Sequence, residues 1–99
     1  MLNINKDIGY GKALFALVGR LDTTTAPELE NELKESLKGV TTLTFDLEAL
    51  EYISSAGLRV LLSIHKIMSK QGGMKVTHVN EIVQEVFEVT GFADILDIE

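Results

Sequence analysis

The chain has 99 residues and a mass of 10.9 kDa, the length of one domain spanning residues 1–99. Nine Lys and Arg against fifteen Asp and Glu leave a net charge of −6 and a pI near 4.8, which disfavours a nucleic-acid partner. No cysteine is present, so disulfides, thiolate metal sites and a Cys nucleophile are excluded.

Hydrophobic residues make up 45% of the chain and charged residues 24%, a globular rather than a disordered composition. The longest uncharged apolar stretch, Ala13 to Gly19, lies between Lys12 and Arg20. That is far short of the roughly 20 residues a bilayer requires. Met1 to Asp7 lacks the basic-then-apolar layout of a signal peptide. The expectation is a small acidic protein of the cytoplasm, with no membrane insertion.

Leu2 and Ile4 alternate loosely towards Gly9-Tyr10-Gly11, a turn signal between two antiparallel strands. Lys12 to Gly19 is apolar at successive positions and reads as a strand inside a sheet. Thr25-Ala26-Pro27-Glu28 then opens a helix: Thr25 is placed to cap it, Glu28 to bond back, and Pro27 loses no hydrogen bond in the first turn. Ala26, Leu29, Leu33 and Leu37 recur at helical spacing, and Gly39 ends the segment. Leu43, Phe45 and Leu47 alternate with Thr42, Thr44 and Asp46, a strand with one buried face.

The longest helix is expected from about Ala56 to Gln71. Leu58, Leu61, Leu62, His65 and Met68 line its apolar side, and Arg59, Ser63, Lys66 and Lys70 form a polar stripe. Gly72-Gly73 stops it before a short strand, Met74 to Thr77. Asn80 caps a third helix carrying Ile82, Val83, Val86 and Phe87, closed by Gly91, and Ile95 to Ile98 is a candidate last edge strand. The order β-β-α-β-α-β-α-(β) predicts an α/β domain with a mixed sheet, its helices packed mainly on the face of Leu43 and Phe45.

Ligands and partners gather at the carboxyl ends of parallel strands. On that rule Asp22, Asp46, Ser54 and Ser55 should share one edge, near the start of the second helix. The exposed N–H groups there favour a phosphate. A phosphate on Ser55 would add about −1.5 to −2 charges. The simpler reading of a Ser before an apolar helical run is an N-cap. The polar stripe is a solvated helix face, or its first turn, at Arg59, joins a partner surface. His65 reads as a packed residue, two separated histidines make no metal site, and no Ser-His-Asp triad or phosphate-binding loop can be assembled. No cofactor is expected.

Gly19-Arg20-Leu21-Asp22, followed by Asp46-Leu47-Glu48-Ala49-Leu50-Glu51-Tyr52-Ile53-Ser54-Ser55-Ala56-Gly57-Leu58, resembles the STAS domain, in particular the free-standing bacterial anti-sigma factor antagonists. The resemblance runs through Gly72-Gly73 to Thr90-Gly91-Phe92. It implies a STAS-like mixed sheet and a binding protein rather than an enzyme. It implies that Ser55 is phosphorylated by a serine kinase that is also an anti-sigma factor, that phosphorylation breaks their complex, and that a PP2C-type phosphatase reverses it. Asp22 would help present the serine; Thr23, Asp46, Ser54, Gly57, Leu58 and Arg59 would complete the partner surface of a monomer or weak homodimer. The chain departs from many antagonists at Ser54, where they carry Asp, and at Ala56, where they carry Ser or Thr. Ser54 is therefore an alternative acceptor, and a STAS subunit of a lipid-transport or stress-sensing assembly, with no phosphorylation cycle, is the alternative function.

Overall fold

A computed structural model describes all of residues 1–99. Strands β1 (Leu2–Gly9) and β2 (Lys12–Leu21) form the expected antiparallel hairpin, with Gly9 opposite Lys12. Tyr10 and Gly11 both hold positive φ, the backbone of a tight two-residue hairpin turn. Helix α1 (Ala26–Ser36) leads to β3 (Thr42–Asp46), which pairs in parallel with β2. After a short β4 (Leu50–Ile53) come α2 (Ser55–Gln71), β5 (Gly73–Thr77) and α3 (Glu81–Thr90).

The sheet runs β1-β2-β3-β5, and β4 also pairs with β2. Since β1 occupies one edge of β2 along Lys12 to Gly19, β3 and β4 share the other edge in succession. β3 lies beside Lys12 to Ala16, and β4 beside Gly19 to Leu21. The register slips at Gly19/Arg20, so that Glu51 is left over. Gly19, at φ 107°, is required there: a Cβ would stand 2.3 Å from the carbonyl oxygen of Met1.

One core of 25 buried apolar residues lies between the sheet and its helices. Ala13, Phe15 and Leu17 of β2 and Leu43 and Phe45 of β3 face it, with Phe15 and Phe45 edge to face at 6.1 Å. Ala26, Leu29 and Leu33 of α1, Leu58, Leu61 and Ile64 of α2, and Val83 and Phe87 of α3 close it from the other side. The expected fold class and helix-bearing face therefore stand.

Several local expectations are corrected. β4 is an element that periodicity does not predict, and residues 92–94 form one 3₁₀ turn, with only Ile98 bridging to Val76 where an edge strand was expected. β2 is interior to the sheet as its composition required, yet no helix covers its second face, and Leu14 is exposed. Ile67 of α2 and Ile82 of α3 point outward. Thr25 precedes α1 in helical backbone geometry and makes no side-chain cap, because its hydroxyl is used on the Asp22 turn instead.

Candidate functional site

Three chain segments meet at the start of α2. β4 delivers Ile53 beside Leu21, and the Ser54 amide donates to the Leu21 carbonyl at 2.9 Å. Ser54 is extended, accepts the Leu58 amide on its carbonyl at 2.9 Å, and accepts the Gly57 amide on Oγ at 3.4 Å. Ser54 is therefore the N-cap and is half-buried. Ser55 is the first helical residue, exposed, with no hydrogen bond on its hydroxyl. The capping role that sequence left open between function and structure belongs to the neighbour.

Gly57 is pressed against β2 and β4. A Cβ there would meet Leu21 Cγ at 2.7 Å and Ile53 Cγ1 at 3.0 Å. Leu58 is also buried. These two expected partner-surface residues turn into the core, and their part is to hold the helix end against the sheet.

Asp22 comes directly after β2. Its Oδ1 accepts the Thr24 amide at 3.0 Å, the Thr24 hydroxyl at 2.7 Å and the Thr25 amide at 3.1 Å. The Thr25 hydroxyl is shared between the Arg20 carbonyl at 2.9 Å and the same carboxylate at 3.2 Å, and receives the Asp22 amide at 2.8 Å. These donors, led by the Thr24 hydroxyl and the Thr25 amide, lower the Asp22 carboxyl from 3.8 to about 2. Asp22 is thus a fixed anion, held in one rotamer, at the level of the Ser54 amide.

Thr23 is exposed beside it and lines a cavity of about 390 Å³ between α1 and α2, with Pro27, Glu30, Ala56, Arg59 and Ser63 among its walls. Arg59 is exposed and in no ion pair. On the opposite flank Arg20 stacks 4.3 Å over the ring of Tyr52, its partner across β2 and β4, and its Nε lies 3.9 Å from Asp22 Oδ2. Arg20 and Tyr52 carry no sequence signal as site residues, because their meeting depends on β4.

Asp46 does not join this edge. It pairs with Ala16, and Asp22 lies six residues farther along β2 and its exit, about 20 Å at roughly 3.3 Å per residue. The expectation required the chain to pass from β3 straight to the serines. β4 intervenes and carries them past the end of β3. Asp46 instead accepts the Glu48 amide on Oδ1 at 3.1 Å and lies 3.4 Å from His78 Nδ1. Asp46, Glu48 and His78 could each offer one ligand atom, all within 4.8 Å of one another, on an exposed corner.

The Ser55 site has no base of its own. His65 lies ten residues along α2, about 15 Å at 1.5 Å per residue, and His78 belongs to the Asp46 corner. The arrangement offers a free hydroxyl at a helix start, a fixed anion and a free cation, which suits an acceptor of an external group rather than a catalyst.

No helix is long and apolar enough to cross a membrane. The chain matches the STAS domain family over residues 2–99. It is similar to the anti-sigma-B factor antagonist of Bacillus subtilis, 31% identical over 100 residues, covering 98% of this chain and 92% of the relative. It is also similar to the anti-sigma F factor antagonist of Paenibacillus polymyxa, 27% identical with 98% and 86% covered. Among solved structures, an anti-sigma factor antagonist from Mycobacterium paratuberculosis superposes with a TM-score of 0.89 at 22% identity, covering 99% of this chain and 85% of that one. The unphosphorylated form of SpoIIAA superposes at 0.84 with 17% identity, covering 98% and 88%, a likeness of fold. The chain belongs to the STAS domain family, and within it to the anti-sigma factor antagonists.

Proposed function

We propose that this antagonist works by partner switching through Ser55. In its unphosphorylated form it binds an anti-sigma factor that is also a serine kinase, and so releases the sigma factor. Phosphorylation of Ser55 ends that binding, and a PP2C-type phosphatase restores it. The observation that carries this reading is the division of roles between adjacent serines: Ser54 is committed to the cap, while Ser55 presents an unbonded hydroxyl at a helix start that is tied, through the Ser54 amide and the Leu21 carbonyl, to the strand end from which Asp22 follows. Two solved SpoIIAA structures, described as unphosphorylated and phosphorylated, superpose on this chain at TM-scores of 0.84 and 0.76, so a fold of this kind exists in both states.

The partner surface comprises Asp22, Thr23, Ser55 and Arg59, with Ser54 supporting it from below. A phosphate here adds charge without a hydrophobic segment having to refold. Calorimetry of the chain with its anti-sigma factor tests the reading. Ser55→Asp should weaken binding by a few kcal/mol, a hundredfold or more, as an unpaired charge does in an interface. Ser55→Ala should bind like the parent and resist phosphorylation. Equal affinity of Ser55→Asp and the parent chain would sink the proposal.

A further inference from the structure

Arg59 stands four residues after Ser55 on α2. Side chains at that spacing share a helix face, with Cβ atoms about 5–6 Å apart. Arg59 is exposed and makes no salt bridge. The one carboxylate lining the same cavity, Glu30 of α1, already lies 3.5 Å from Lys34. On a chain of net charge −6, a cation left free within a helical turn of an exposed serine is an uncommitted partner for an anion.

We infer that Arg59 is an internal clamp for a phosphate on Ser55, an inference that rests on Ser55 being the phosphoacceptor. A phosphoserine and an arginine four residues later can form charge-assisted hydrogen bonds with two phosphate oxygens held in the guanidinium fork. The unbonded N–H groups of the first helical turn lie on the same side of the phosphate. Asp22, on the flanking loop, repels it, while Glu30, which lines the same cavity as Arg59, is offset by Lys34 at 3.5 Å. Phosphorylation therefore alters the partner surface twice: it adds an anion, and it withdraws the free cation that the unphosphorylated surface offers beside the α1–α2 cavity. It tightens the start of α2 and does not melt it.

The test uses the full chain with phosphoserine placed at position 55 by genetic encoding, so no kinase is needed. The second ionisation of the phosphate, normally near pH 6, is followed by ³¹P NMR in the parent and in the Arg59→Gln and Arg59→Lys variants. A clamped phosphate titrates about half a unit lower in the parent than in Arg59→Gln. Arg59→Lys restores part of the shift, and 1 M salt shrinks it. Circular dichroism of the unphosphorylated variants checks that this exposed position leaves the fold intact. Identical titrations in the parent and Arg59→Gln would overturn the clamp and leave the switch at Ser55 standing. Failure of the switch itself, by contrast, shows in the calorimetry and not in this titration.

Discussion

Two places in this molecule put an aspartate at the exit of a parallel strand, and they do different work. At the end of β2, Asp22 is wrapped by Thr24 and Thr25 and stands beside the start of a helix of 17 residues. At the end of β3, Asp46 faces Glu48 and a histidine whose backbone is left-handed, at φ 53°. The first corner has an anion fixed by neutral donors, a free hydroxyl and free or stacked cations around it. The second collects acids and one imidazole on a surface turn. A strand-end aspartate is therefore a weak signal by itself. Its neighbours in space decide its use, and here β4 makes the difference.

The largest expected effect comes from undoing what separates the corners. Asn80 caps α3 through the Val83 amide at 3.0 Å, and its Nδ2 lies within 3.2 Å of the Leu47, Glu48 and Leu50 carbonyls. It ties down the turn that sends the chain from β3 into β4. Asn80→Ala removes a cap and the side-chain donor that three turn carbonyls share, a cost of about 2–3 kcal/mol, read from the urea midpoint. It should also weaken partner binding from a distance; unchanged stability would show that the tie is incidental.

A smaller effect is expected at Gly57, where an added methyl meets Leu21 and Ile53. Gly57→Ala should cost about 1–3 kcal/mol through overpacking, although alanine favours helix. Gly73, where a Cβ meets nothing within 4 Å, is the control: Gly73→Ala should shift the midpoint little. Equal effects at the two glycines would mean that close packing does not set the position of Ser55.

The smallest effect is in pH dependence. The Asp22 carboxyl is lowered from 3.8 to about 2 by its hydrogen bonds, so its stabilising contribution is complete above about pH 4 and is lost as the pH falls towards 2. Asp22→Asn should flatten that stretch of the acid-denaturation curve and lower the neutral plateau by the lost contribution, without giving the plateau a new pH dependence. An identical acid limb in the variant would mean that the Asp22 turn is not held as described.

Much of this was legible in residue order. The α2 stripe, the Asn80 cap and the hairpin turn can be read from periodicity and turn chemistry, and the helix-bearing face from Leu43 and Phe45. β4 was hidden because its buried residues, Leu50 and Ile53, are three apart, and the extra Glu51 breaks the alternation that marks a strand. Without β4, Asp46 is misplaced and the Arg20–Tyr52 stack is concealed. Residue order also could not choose between Ser54 and Ser55 as the cap, since both suit that position and only the backbone of Ser54 has the extended geometry it requires.

The proposed mechanism rests on separate duties for the two serines, Ser54 as the cap and Ser55 as the acceptor. Peptide mapping by mass spectrometry, on the chain purified from its own cells under phosphatase inhibitors, tests that division directly. A single phosphate on Ser55 is expected in at least one growth condition. A phosphate on Ser54, the capping residue, or none under any condition would overturn it.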